Sequence, residues 1–234
     1  MSALLGIQGV CKSFGGFAAL TDVSLEIAPG ERFGLIGPNG SGKTTLINCV
    51  SGALRNERGR ILFEGEDVTQ LPAWKRTRCG IARSFQVPRP FSTMTVLENL
   101  LVPLEYVGGG RMEQARRILD EMGLGDKAEK LSSRLTQVEL RKLELARAMA
   151  SRPRLLISDE AMAGLSPAEV DEVLPILFRL NENGITIIMI EHIMHAVMRF
   201  SQRVVCLDAG QIICEGTPEA IVQNPDVQRA YLGA

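Results

Sequence analysis

No uninterrupted apolar run in these 234 residues approaches the roughly 20 needed to cross a bilayer. The opening MSALLGIQGVCKSF has neither a basic start nor a long apolar stretch, so no leader is expected and the chain is expected in the cytoplasm. Charge of one sign is also missing: 26 Lys and Arg stand against 27 Asp and Glu, a formal net charge of -1, without a basic tail. Bulk attraction to nucleic acid therefore has no source, and no nucleic-acid partner is expected. Paired cysteines are absent too. The five present, Cys11, Cys49, Cys79, Cys206 and Cys214, are odd in number and never spaced C-x-x-C, which argues against a disulfide framework and against a zinc site. Neither internal repeats nor low-complexity segments occur. What is there is a 45% hydrophobic composition, enough for one large domain or a domain with a subdomain.

Short β-like runs occupy the first part of the chain: LLGIQGV, SLEI and RFGLI, then RILFEG at 60–65. The turn Ala28-Pro29-Gly30-Glu31 between SLEI and RFGLI predicts an antiparallel hairpin there. LLIS at 155–158 and ITIIMI at 185–190 are continuous apolar runs of the kind buried on both faces of a parallel sheet. Residues 87–151 differ, with a stiff VPRPF, the triple glycine Gly108-Gly109-Gly110 and helical stretches such as RMEQARRILDEMGL. RVVCLDAGQIICEG predicts two strands about Asp208-Ala209-Gly210. The expected fold is α/β, with a nucleotide-binding core from 1–86 and 152–234 interrupted by a helical subdomain at 87–151, all one domain over 1–234.

Gly37-Pro38-Asn39-Gly40-Ser41-Gly42-Lys43-Thr44 fits G-x-x-x-x-G-K-[ST], directly after RFGLI and directly before the helix-like TTLINCV that begins with Thr44 and Thr45. Glycines let the backbone curl so that N–H groups and a helix N-terminus converge on phosphate oxygens; Lys43 adds a positive charge and Thr44 can ligate Mg²⁺. In RLLISDE an apolar strand ends by delivering Asp159 and Glu160 beside that loop. Asp159 is expected to hold the magnesium shell, and Glu160 to orient and deprotonate the attacking water. ATP and Mg²⁺ are the expected ligands. EHIMH, with His192 and His195, is not H-E-x-x-H, because the Glu precedes both histidines, and no third ligand is suggested.

With these motifs in order, the chain resembles the ATP-binding subunits of ABC transporters over essentially its whole length, which implies a P-loop NTPase core of RecA-like type with an N-terminal antiparallel β region. The resemblance places Gln86 of ARSFQ as the glutamine that contacts magnesium and water and leads to the membrane partner. It places His192 of IIMIEH as the switch histidine, and Phe14 of KSFGG as the aromatic stacking on adenine. The phrases SFGGFAAL, LIGPNGSGKTTLINCVSG, GIARSFQVPRPF, TVLENLLV and AYLG are most similar to the branched-chain amino acid importer ATPases. That likeness implies a peripheral location on the inner face of the membrane, two integral permease subunits, a second ATPase subunit in a heterodimer or a homodimer, and a periplasmic solute-binding protein engaged indirectly.

A small-molecule kinase would not need Gln86, Glu160 and His192 in this order, and a repair ATPase would need a long coiled coil for which 234 residues leave no room. A nucleotide-binding regulatory subunit without turnover is the other alternative, because the chain departs from the family pattern. Ala161 stands where the family has Pro, and Ser166 where it has Asp or Asn. Leu135-Thr136-Gln137-Val138-Glu139 stands where it has L-S-G-G-Q. Thr136 keeps a hydroxyl for a phosphate bound by the other subunit. Thr136 and Glu139 also form a capping box, and no Gly or Pro interrupts the helix that follows before Pro153. Glu139 is expected to compete with phosphate for that helix end, weakening the composite site that this signature completes.

Overall fold

The computed structural model describes residues 3–108 and 111–232, so Gly109 and Gly110 of the triple glycine and Gly233 of the closing AYLG lie outside it. Ten strands and nine α-helices are formed among the described residues. The chain opens with β1 (Leu5–Phe14) and β2 (Phe17–Ile27), an antiparallel hairpin turned at Gly15-Gly16. Then come β3 (Arg32–Ile36), α1 (Lys43–Ser51), β4 (Arg58–Phe63), the short β5 (Glu66–Asp67), α2 (Ala73–Cys79) and β6 (Ile81–Ser84). Three helices follow: α3 (Val96–Tyr106), α4 (Met112–Glu121) and α5 (Gln137–Met149), with no strand between 87 and 151 among the described residues. The remainder alternates: β7 (Leu155–Asp159), α6 (Pro167–Glu182), β8 (Thr186–Ile190), α7 (Met194–Phe200), β9 (Arg203–Asp208), β10 (Gln211–Gly216), α8 (Pro218–Gln223) and α9 (Pro225–Leu232).

Two sheets result. One is antiparallel, in the order β2-β1-β4-β5; the other runs β10-β9-β3-β8-β7-β6 and is parallel except for β10 at its edge. The predicted hairpin between SLEI and RFGLI is therefore not formed. β2 pairs with β1, whereas β3 lies between β8 and β9 in the other sheet, and the turn at Ala28 to Glu31 carries the chain across. The reason is burial: Phe33, Leu35 and Ile36 need apolar cover on both faces, which the centre of a parallel sheet supplies and the edge of a hairpin does not.

The period-2 geometry of the strands divides the interior in two. Leu155 and Ile157 of β7, with Ile188 and Ile190 of β8, pack with Leu46, Ile47 and Val50 of α1 and the inner face of the antiparallel sheet. Leu156, Ile187 and Met189 face the opposite way, into a cluster shared with α3 to α7. Each buried apolar side chain of this size is worth about 1.5–3 kcal/mol, so the strand ends that carry polar residues are held on a stiff frame. The predicted β9–β10 turn is formed, with Ala209 and Gly210 both at positive φ.

Candidate functional site

The loop from Gly37 to Gly42 leaves the carboxyl end of β3 and enters α1. At Gly37 the φ is +147° and a Cβ would lie 2.1 Å from the Leu207 carbonyl oxygen; at Gly42 the φ is +105° and a Cβ would lie 2.6 Å from that of Ala19. Only glycine fits either place. The N-terminus of α1 carries no side-chain cap and no acidic residue in its first turn, so its free N–H groups point outward. Lys43 is buried, and its Nζ donates to Gly37 O at 2.7 Å, Pro38 O at 2.9 Å and Ser41 Oγ at 3.4 Å. Burial pushes the Lys43 ammonium below its ordinary pKa, opposed by the charges of Glu160, Cys206 and Asp159. A cavity of about 270 Å³ opens here, lined by Asn39 and the residues through Thr45 together with Phe14, Phe17, Glu160 and His192. Phe14 is thus brought to the loop, half exposed, with Lys12 Nζ 5.3 Å from its ring centroid. Phe17 beside it was not foreseen.

β7 ends at the same place. Asp159 Oδ2 accepts from Arg83 Nη2 at 2.5 Å and Nε at 3.2 Å, and Arg83 Nη1 donates to Asn48 Oδ1 at 2.6 Å. Glu160 sits at φ +48°, a left-handed conformation costing a side-chain-bearing residue about 1–3 kcal/mol. Its N–H donates to Ile190 O at 2.8 Å and its carbonyl accepts from Ala163 N at 3.1 Å, which fix the turn. The Glu160 carboxylate is gripped from two sides: Oε1 is 3.0 Å from His192 Nε2, and Oε2 accepts from Gln86 Nε2. Three residues far apart in sequence, Gln86, Glu160 and His192, therefore converge. Thr44, Asp159 and Gln86 line a second, adjoining cavity with Glu160. Its hydroxyl, carboxylate and amide oxygens are the hard donors that magnesium takes, and among the described residues Asp159 Oδ1 accepts no protein hydrogen bond. These residues fit that ion. The described residues contain no group of three His, Cys, Asp or Glu side chains placed for a metal, His195 included.

A supporting layer was missed from sequence. Glu191, 1% exposed, accepts from Met162 N at 2.8 Å and so braces the loop after Glu160; burial, then the Glu160 charge, pushes its carboxyl up to about 7. Arg141 of α5 donates to Gln86 O and, at 2.8 Å, to Ala163 O. The available signal was a charge inside or beside a run otherwise apolar, as at Arg83 and Glu191, because such a charge is retained only where it is paired.

Thr136 is N-cap of α5, exposed, and lines neither cavity. The capping box is complete: Thr136 Oγ1 accepts from Glu139 N at 3.3 Å and Glu139 Oε2 accepts from Thr136 N at 2.8 Å. Lys127 lies 3.3 Å and Lys130 3.9 Å from the same carboxylate. Burial raises the Glu139 pKa, but the Thr136 N–H and the two lysines outweigh it and hold the carboxyl below its usual range. The charge expected to compete with phosphate is thus paired with two lysines of its own chain; the side chains of Gln137 and Val138 remain in place of glycines.

Against known proteins, residues 20–163 match the family described as ABC transporter, and residues 211–234 match the one described as branched-chain amino acid ATP-binding cassette transporter. The chain is 37% identical to the high-affinity branched-chain amino acid transport ATP-binding protein BraF of Pseudomonas aeruginosa, with 98% of each covered. It is 38% identical to LivG of Escherichia coli, of the same description, again over 98% of each. Among solved structures, it superimposes on a nucleotide-free ATP-binding cassette of an ABC transporter with a TM-score of 0.92 at 30% identity, all of both chains being covered. An ADP conformation of a cassette gives 0.92 at 31% identity, with the same coverage.

Proposed function

This chain belongs to the ABC transporter family as an ATP-binding, ATP-hydrolysing subunit, and on that premise we propose that it drives uptake of branched-chain or related amino acids. The observation that carries the reading is the Glu160 carboxylate, bracketed by Gln86 and His192 at the mouth of the glycine loop. ATP enters with adenine on Phe14 and phosphates on the N–H groups of the loop, from Gly37, Pro38, Asn39, Gly40, Ser41 and Gly42 to Thr44 and Thr45. Lys43 exchanges the carbonyls of Gly37 and Pro38 for phosphate oxygens. Thr44, Asp159 and Gln86 would hold a magnesium ion, which would supply charge to neutralise the phosphate oxygens. Glu160 takes the proton of the attacking water, with His192 and Gln86 holding both partners in line.

The division into a core at 1–86 and 152–234 and a helical unit at 87–151 supports a further part of the reading. Gln86 leads directly into the exposed Val87 and Phe91, and α3 exposes Val102 and Tyr106, a surface suited to a membrane permease. Among the described residues no helix is long and apolar enough to cross a membrane, so attachment runs through that permease on the cytoplasmic side. Thr136 lines neither cavity beside its own glycine loop, as it would if it served a phosphate bound by a second ATPase subunit in a head-to-tail pair. The preferred pair is a heterodimer, served indirectly by a periplasmic binding protein, because Gln137 and Val138 then burden only one composite site.

The test is Glu160→Gln in the reconstituted transporter with the partner's glycine-loop lysine disabled. Turnover should fall by at least about a hundredfold while ATP binding is kept. Retained turnover in that preparation overturns the assignment of Glu160, and retained uptake of leucine with both sites disabled overturns the transport role.

A further inference from the structure

The first glycine of the loop is tied to the end of the chain. β3 makes its last pairs at Leu35 with Ile190 and at Ile36 with Cys206, so the Gly37 N–H is the first donor beyond the sheet. It donates to Tyr231 Oη at 2.8 Å, across 194 positions of sequence. The carbonyl of the same glycine accepts from Lys43 Nζ at 2.7 Å, and its Cα packs against the Leu207 carbonyl. Gly37 is thus clamped between β9 on one side and Tyr231 on the other, and its own carbonyl helps to seat Lys43.

The reach of Tyr231 is built, not incidental. Asn224 opens α9 by accepting from Asp226 N at 2.8 Å and Val227 N at 3.3 Å, and donates to Cys214 Sγ of β10 at 3.1 Å. Ile221 of α8 and Val227 of α9 are buried in the cluster that also holds Val204 and Cys206 of β9. With its start pinned to β10 and its middle to the core, α9 carries Tyr231 to the glycine loop. Partial burial raises the phenol's pKa further above neutrality.

Resting on the nucleotide site proposed above, we propose that Tyr231 is a positioning residue of that site, its hydroxyl holding the Gly37 peptide in the shape that receives a triphosphate. The segment 211–234 then has a task at the glycine loop. A loop already fixed by the tail loses less freedom on binding than one that must be ordered by ATP itself, so the effect falls on affinity and not on the chemical step. Tyr231→Phe removes only the oxygen and leaves the packing.

The experiment uses the full chain and MgATP itself, by calorimetry, beside steady-state ATPase in the assembled transporter. Tyr231→Phe should raise the Kd about tenfold, raise KM in step, leave kcat within twofold, and speed amide exchange at Gly37 in the free chain. Arg229→Ala, two residues earlier and paired among the described residues only with Asp226 on the surface, should change none of these. A lowered melting temperature with Kd and Gly37 exchange unchanged overturns the proposal and leaves Tyr231 a packing residue. Lys43→Ala is run in parallel: if it binds ATP normally, the nucleotide site itself is misplaced; if it loses ATP while Tyr231→Phe keeps the native Kd, only the role of Tyr231 falls.

Discussion

The chain treats two helix N-termini, those of α1 and α5, in opposite ways. α1 begins after a glycine, without a cap and without an acid in its first turn, and its N–H groups face a cavity. α5 begins with both halves of a capping box made, and with a carboxylate in its first turn held by two lysines. The positive end of a helix is the same physical device in both cases. One is left open for an anion that arrives from outside; the other is satisfied by the chain's own atoms. On the reading proposed above, a subunit that binds phosphate at its own loop and lends its second helix end to a partner has a use for that asymmetry.

The comparison breaks most sharply if α1 is given what α5 has. Thr45 occupies the third position of α1, matching Glu139 in α5. Thr45→Glu should weaken MgATP binding by at least about a hundredfold, since like unit charges ~4 Å apart repel by about 4 kcal/mol at a partly screened site. Thr45→Gln, equal in size, should lose far less; similar losses in both would show that volume and not charge keeps this end open.

The joint between the two regions is titratable. Glu191 braces the loop after Glu160, and Arg141 reaches from α5 to the same loop. Its carboxyl is raised from 4.5 to about 7 by burial first, so the folded chain holds a proton that the unfolded chain releases. The stability this contributes is complete below about pH 4.5 and is lost as pH rises to about 7. At 1.36 kcal/mol per unit the change is at most about 3 kcal/mol. Urea unfolding of the native chain and of Glu191→Gln between pH 4.5 and 8 should show the native chain losing stability relative to the variant up to pH 7 and running parallel above it. Parallel curves throughout would remove Glu191 from the joint.

The smallest expected effect lies at the closed end. Thr136→Ala removes one half of the capping box and should cost about 1 kcal/mol, or about 2–4 °C in melting temperature for a chain of this length. MgATP binding to the isolated chain should not change, because Thr136 lines neither cavity. A weaker Kd in the isolated chain would place the two helix ends in one site and dissolve the contrast.

What could be read without the structure follows from distance along the chain. The glycine loop, the strand ending in Asp159 and Glu160, and the Thr136 capping box each lie within a few consecutive residues, where covalent geometry and local hydrogen bonds decide the outcome. Gln86 and His192 were found only through likeness to a family, since one polar residue in a loop carries no chemistry of its own. Arg83, Arg141 and Glu191 escaped because their partners lie 22 to 76 positions away. A charge of this kind takes its meaning from what it touches.

The sequence by itself determined that LLIS and ITIIMI become strands of the parallel sheet, since runs apolar on both faces need cover on both. It also determined that a phosphate-binding turn follows β3, because Gly37 and Gly42 supply backbone shapes closed to other residues. Only the tertiary structure decided that β2 and β3, adjacent in sequence, separate into different sheets, and that Tyr231 meets Gly37. Both outcomes depend on hydrogen-bond partners brought together by the burial of two apolar clusters, and long-range pairing of that kind has no signature in local residue order.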